Sequence, residues 1–168
     1  MPALTRSGWT GLVRVSLLII QGFVAVTAFA GGTALVVGSF SSDQSWVIVP
    51  PAEYLQGSPF DSYLVPGVLL AVLLGGLHLL AFLAVLRRWR WAHFISAAAG
   101  FDALIWIFVQ MVFIPFSVLQ AVYFVAGLAE LGLVLVALGV LQPLPASTSR
   151  RARRVTGAAS PELMAPDR

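Results

Sequence analysis

The chain of 168 residues contains no cysteine and no lysine, and it has few charged residues of either sign. The absence of cysteine excludes disulfide bonds, thiolate metal sites, thiol redox catalysis and S-acylation. Charged residues make up only 10% of the chain, whereas hydrophobic residues make up 59%. Soluble domains of this size are less apolar, so the composition indicates a membrane protein.

The formal net charge of +3 does not indicate nucleic-acid binding. The arginines stand at the edges of apolar runs and near the C-terminus, where membrane proteins carry their orientation signals. The sequence has no basic patch with interleaved aromatic residues, which a nucleic-acid surface needs. A basic set made only of arginine, together with much Ala, Gly and Val, is typical of a GC-rich bacterial genome.

Four apolar runs are each long enough to cross a bilayer, which takes about 20 helical residues. They predict an all-α, integral membrane four-helix bundle with spans at about 11–39, 66–86, 91–113 and 118–141. The first run could instead be a signal peptide that ends at Ala28-Phe29-Ala30. We favour a span, because the apolar residues continue past Ala30 to Val37.

The arginines predict the orientation of these spans. The long loop between the first two spans holds Asp43, Glu53 and Asp61 and no arginine. With four spans, all arginines fall on the other side, so residues 1–10 and the disordered basic tail 142–168 should be cytoplasmic. We expect the loop to fold over the outer face of the plasma (inner) membrane. Anionic lipids should contact the arginines at these edges, namely Arg87, Arg88, Arg90, Arg150, Arg151, Arg153 and Arg154.

Two carboxylates lie close to the middle of the last two spans, Asp102 in the third and Glu130 in the fourth. Such residues are rare, because a charge at mid-bilayer is costly, and they mark candidate functional sites. The tight turn at 114–117 makes these spans antiparallel neighbours, so we expect the two acids to face each other. Two close carboxylates in a low dielectric cannot both be ionised, so at least one should be protonated. His78 falls at a similar depth and could share that proton.

Other polar residues extend this site along one face of each helix, because residues three or four apart share a face. The predicted seam, from the outer surface to mid-membrane, comprises Asp102, Glu130, His78, Gln110, Gln120, Tyr123 and Trp106. Such a seam suits proton relay or cation binding. Alternatively, its members only hydrogen-bond across helices and hold the bundle together. Metal binding by His78, Asp102 and Glu130 is a further alternative, without a supporting ligand spacing, and no cofactor or enzyme motif is present.

Small residues at four-residue steps predict a close helix contact on the first two spans. This packing face comprises Gly22, Ala30, Ala34, Gly38, Gly67, Ala71 and Gly75. Val26 interrupts the line in the first span, whereas the line in the second span is unbroken. The alternative is that a chain rich in Ala and Gly produces such a stripe by chance.

Two stretches resemble known membrane proteins. The pattern from Ser58-Pro59-Phe60 through Leu64-Val65-Pro66-Gly67, followed by spans with Gln110, Gln120 and Glu130, resembles small uncharacterised bacterial four-span membrane proteins. The segment 127–132, Gly-Leu-Ala-Glu-Leu-Gly, is similar to a glutamate-bearing helix in DoxX-type proteins. The second likeness covers one helix, and neither resemblance implies an activity.

Two functions therefore compete. The first is a small accessory or scaffold protein that associates within the bilayer with its own copies or with a partner membrane protein. The second is a proton- or cation-coupled transporter-like protein that uses Asp102 and Glu130. Four short helices enclose little cavity, which favours the first function and means that transport would require a homo-oligomer. An intramembrane enzyme ranks last.

Overall fold

The computed structural model describes residues 6–40 and 50–140. In these residues the chain is all-helical, with four helices long and apolar enough to span a membrane, so this part of the prediction is confirmed. The helices are α1 (Arg6–Gly38), α2 (Leu64–Leu86), α3 (Ala92–Phe113) and α4 (Val118–Ala137). A short 3-10 helix, Ala52–Leu55, precedes α2. The predicted tail, which includes Arg150, Arg151, Arg153 and Arg154, lies outside the described residues.

Helix α2 changes its helical type in the middle. Its first part, Leu64–Leu69, and its last part, Gly76–Leu86, are α-helical, and Leu70–Gly75 between them is π-helical. A π-helical segment accommodates an extra residue and rotates the residues that follow it around the axis. The face on which His78 lies is therefore set by this segment and does not follow from a uniform helical period.

Glycine pairs allow two close helix contacts. A Cβ atom on Gly32 of α1 would lie 2.6 Å from the carbonyl oxygen of Gly67 of α2. A Cβ atom on Gly127 of α4 would lie 3.0 Å from the carbonyl oxygen of Gly100 of α3. Neither place accepts a side chain unless the backbones move apart. These two contacts bring α1 to α2 and α3 to α4.

The predicted packing face is partly engaged in the contact between α1 and α2. On α2, Gly67 and Ala71 lie against Gly32, which was not in the predicted set, and Gly75 lies against Phe29. On α1, Gly22 faces the ring of Phe82, Gly38 is buried and Ala34 is partly buried. Ala30 is exposed and takes no part in the buried contact, because the two helices meet at Gly32.

Large apolar side chains cover the outside of the bundle. Val26, Phe94 and Phe108 are 70%, 72% and 73% exposed. The interior contains apolar side chains and also a few polar ones, among them Gln21 and Glu130, which are fully buried. A soluble protein rarely exposes so large an apolar surface, and this arrangement is typical of helices that are surrounded by lipid.

Candidate functional site

One polar side chain from each helix meets in the interior of the bundle. These are Gln21 of α1, His78 of α2, Ser96 of α3 and Glu130 of α4, and each is 0% exposed. The Nε2 atom of Gln21 donates to Ser96 Oγ at 2.8 Å and to Glu130 Oε1 at 2.5 Å. The Nε2 atom of His78 lies 3.4 Å from Glu130 Oε2. We refer to these four residues as the buried polar cluster.

The cluster forms because each of its members lies on the buried line of its helix. Residues three and four apart share a helix face, and the apolar members of that face drive its burial. On α1 this line is Leu17, Gln21, Val24 and Ala28. On α4 it is Gln120, Tyr123, Gly127, Glu130 and Val134. When the apolar residues of these lines pack together, Gln21 and Glu130 are therefore buried next to each other in the interior of the bundle.

The hydrogen-bond partners indicate where the protons of the cluster lie. The Nδ1 atom of His78 lies 2.8 Å from the carbonyl oxygen of Leu74, which can only accept, so Nδ1 carries a proton. Glu130 Oε1 accepts from Gln21, so a proton on this carboxyl group belongs on Oε2. His78 Nε2 and Glu130 Oε2 face each other without another partner among the described residues. They can share one proton, which either group can hold.

A shared proton makes the His78–Glu130 pair neutral overall. If the proton is on the carboxyl group, both side chains are neutral, and if it is on the imidazole, the two charges cancel. An unpaired charge in this position would be costly, because a fully buried ion loses its hydration. The arrangement therefore explains how a carboxyl group can lie in the centre of an apolar bundle.

Asp102 lies outside this cluster. Its Oδ2 atom is buried and has no hydrogen-bond partner among the described residues, although the residue as a whole is only partly buried. No hydrogen bond joins Asp102 to Glu130 within residues 6–40 and 50–140, so the expected direct contact between the two acids is replaced by contacts of Glu130 with Gln21 and His78.

The rotation of α3 about its axis explains this difference. Gly100 is the residue of α3 that faces Gly127 of α4. Asp102 is two residues further, which is about 200° around a helix of 3.6 residues per turn. Its side chain therefore leaves α3 on the side away from α4. The turn at 114–117 makes the two helices neighbours, but it does not set which of their faces meet.

The other members of the predicted seam have separate roles. The Tyr123 hydroxyl donates to Thr27 Oγ1 at 2.6 Å, which joins α4 to α1. Gln120 completes a capping box with Ser117 at the start of α4, so its side chain caps the N-terminus of this helix. Trp106 packs against the apolar residues around Leu74, and Gln110 is partly buried. Of the seven predicted residues, the described structure brings only His78 and Glu130 into direct polar contact with each other.

Two members of the buried polar cluster, Gln21 and Ser96, were not predicted. Gln21 is the only amide side chain of the first apolar run and lies ten residues past Gly11, so a search for all deeply placed polar residues would have found it. A search restricted to ionisable groups passes over it. Ser96 gives a weaker signal, because serine is common in membrane helices and its hydroxyl often bonds only to its own backbone.

Within the described part of the chain, no group of three or more His, Asp or Glu residues could hold a metal ion, so His78, Asp102 and Glu130 do not form such a group. A cavity of about 330 Å³ lies at the end of the bundle that carries Arg14 and Arg88, which we call the arginine end. None of the four cluster residues lines this cavity.

Comparisons with protein-family models, with curated proteins and with solved structures find no match to this chain. The resemblance to DoxX-type proteins and to small four-span proteins therefore stays a prediction.

Proposed function

We propose that this chain is a four-span integral membrane protein that serves as an accessory or scaffold protein and associates with other proteins within the bilayer. The buried polar cluster is the observation that carries this proposal. It takes one fully buried side chain from each span and joins them through Gln21 and Glu130. Hydrogen bonds between helices are a common means of holding a membrane bundle together.

The closed state of the cluster favours a structural role over a transport role. Its four side chains are 0% exposed, and none of them lines the cavity at the arginine end. A transported ion or substrate would need a wet path to the acids, whereas a structural contact needs none. A bundle that is held together by internal hydrogen bonds leaves its apolar outer surface available to lipid and to partner helices.

We further propose that both termini lie in the cytoplasm and that the loop before α2 lies outside. Arg87, Arg88 and Arg90 are exposed at one end of the bundle, and Glu53 and Asp61 are exposed at the other. The natural chain has no cysteine, so single-cysteine variants can be labelled without background. In spheroplasts, a membrane-impermeant maleimide should label the Asp61→Cys variant before lysis and the Arg90→Cys variant only after lysis. The reverse pattern would contradict this orientation.

The association itself can be tested on the outer face of each helix. Val26, Val72, Phe108 and Val125 are exposed residues of α1, α2, α3 and α4 in turn. A photocrosslinking amino acid would be placed at each position in separate variants, and the products would be counted in intact membranes. Reproducible crosslinks concentrated on one helix, to a second copy or to one membrane protein, support the scaffold role. Sparse crosslinks spread equally over all four helices, as a freely diffusing monomer would give, contradict it.

Asp102 is the observation that favours the second candidate, a proton- or cation-coupled transporter-like protein. Its buried Oδ2 has no described partner, and the same bundle holds the His78–Glu130 pair, which can share a proton. The protein would be reconstituted into vesicles that contain a pH-sensitive dye. Under this candidate, wild-type protein conducts protons, and Asp102→Asn and Glu130→Gln abolish the flux while both variants still insert. Under the scaffold proposal, no flux occurs and both variants still associate.

A further inference from the structure

We propose that the cavity at the arginine end binds the phosphate group of an anionic phospholipid together with the first part of one acyl chain. The volume of about 330 Å³ is at the small end of the roughly 300–1,000 Å³ that is usual for ligand sites. It therefore suits a headgroup and the start of a chain, and it is too small for a whole lipid. This inference rests on the membrane placement proposed above, but it does not depend on the scaffold role.

The walls of the cavity are apolar and come from all four helices. They consist of Val13 and Leu17 of α1, Val85 of α2, Ala92 of α3, and Val136 and Ala137 of α4. The same residues pack as part of the apolar core at this end of the bundle. Such walls favour a hydrocarbon segment over a fully hydrated solute.

Arg14 supplies the first cationic group of the cavity and is held in a fixed position. Its Nη2 donates to the carbonyl oxygen of Leu86 at 3.0 Å, and its Nε donates to that of Val85 at 3.4 Å. These carbonyls belong to the last turn of α2, where intrahelical donors run out. The two bonds use two of the five N–H groups of the guanidinium, so three can still donate to phosphate oxygens.

Arg88 supplies the second cationic group from an unfavourable backbone conformation. It is the only non-glycine residue with positive φ in the described chain, at 53°. It ends α2 in a Schellman motif, with a bond from the Trp89 N–H to the Ala84 carbonyl at 2.9 Å. At the end of α4, Gly139 takes the equivalent position with a φ of 73°. An arginine where glycine is favoured points to a use of its side chain, and Arg88 is one of the residues that line the cavity.

The surroundings of the cavity identify a lipid as the source of the anion. His93 and Trp89 also line it, and no carboxylate does among the described residues, so its charge complements a phosphate. Trp89 is exposed, as is Trp91 two residues further along the chain, and the Arg90 guanidinium is 4.8 Å from the Trp91 ring. Tryptophan and arginine at a helix end are typical of the headgroup level of a bilayer. The cavity would therefore open where lipid phosphates are found.

The test compares lipid retention by purified full-length variants. Protein in phosphatidylcholine nanodiscs with a minor fraction of phosphatidylglycerol would be released into detergent, and native mass spectrometry would identify the lipid that remains bound. A parallel arm would titrate inorganic phosphate into nanodiscs of phosphatidylcholine alone and follow the thermal transition. The variants are Arg88→Gly, which suits the backbone conformation, Ala137→Phe, which fills the cavity, and Arg90→Gln, a matched control that does not line it. Circular dichroism verifies the fold of each.

We expect wild type and Arg90→Gln to retain phosphatidylglycerol in preference to phosphatidylcholine. Arg88→Gly should lose this preference by roughly tenfold, the effect of one lost charge-assisted hydrogen bond, and Ala137→Phe should lose it as well. Equal losses in Arg88→Gly and Arg90→Gln would show a diffuse basic surface and overturn the proposal. If inorganic phosphate stabilises the protein and Ala137→Phe retains phosphatidylglycerol as the wild type does, the ligand is a free anion and the lipid proposal is overturned. If folded wild-type protein shows no preference for phosphatidylglycerol, the site does not exist. Failure of the membrane placement would appear separately, in the maleimide labelling.

Discussion

Replacing Glu130 by alanine removes the residue on which the buried polar cluster depends. The substitution leaves the Gln21 amide without one acceptor and His78 Nε2 without its partner, both in a region of zero exposure. An unsatisfied buried group costs about 1–3 kcal/mol in soluble proteins. Interhelical hydrogen bonds in membranes are weaker, at roughly 0.6 kcal/mol on average and about 1.7 at most. For the two groups together we expect a loss of about 1–4 kcal/mol.

The matched control is Glu130→Gln, which keeps the shape of the side chain. Its amide oxygen can accept from Gln21, and its amide nitrogen can donate to His78 Nε2, as a protonated carboxyl group would. We expect this variant to lose less than about 1 kcal/mol, because both contacts are preserved. The free energy of unfolding would be measured for purified protein in bilayer discs by reversible denaturation. Equal destabilisation by Gln and Ala would contradict this expectation, because it would show that an amide at position 130 cannot replace the contacts of Glu130 with Gln21 and His78.

Two further predictions concern the helix contacts and the loop. A Cβ on Gly32 would lie 2.6 Å from the Gly67 carbonyl oxygen, so Gly32→Ala should lower the free energy of unfolding by about 1–3 kcal/mol. A Cβ on Gly132 would meet open space, so Gly132→Ala should raise it by up to about 1 kcal/mol. Reversible unfolding of both variants in bilayer discs measures these changes. Burial raises the pKa of the Tyr63 hydroxyl above 10.0, and the nearby Tyr54 raises it further by charge repulsion. Because the unfolded chain then releases this proton first, the contribution of Tyr63 to stability is complete below pH 10.0 and is lost as pH rises through the pKa of the folded state. Tyr63→Phe should flatten the alkaline decline in the free energy of unfolding, and an unchanged decline would show that other groups cause it.

The four helices could be predicted because their signal is local and large. About 20 consecutive apolar residues are needed for a span, and each of the four runs meets that length. The presence of Glu130 and His78 at mid-span could be predicted for the same reason, because a titratable residue in an apolar run is visible by position alone. The close contact at Gly32 was harder to predict, because many small residues in α1 make equally regular lines.

The partners of Glu130 could not be predicted, because they depend on how each helix is rotated about its axis. Gly100 and Asp102 are both central in α3, and only the packing of Gly100 on Gly127 decides that Asp102 turns away from α4. In α2 the π-helical segment Leu70–Gly75 changes the rotation just before His78, and nothing in its apolar sequence marks it. Gln21 is 109 positions from Glu130 along the chain, and no local pattern connects them.

The most direct test of the account is the environment of the His78 imidazole in the membrane. The chain has two histidines, so labelled protein with His93→Gln gives the signal of His78 alone in solid-state nuclear magnetic resonance. The account predicts a proton on Nδ1 and magnetisation transfer between Nε2 and the carboxyl carbon of Glu130, without contact to water. An imidazole that contacts water and shows no transfer to Glu130 would contradict the buried polar cluster.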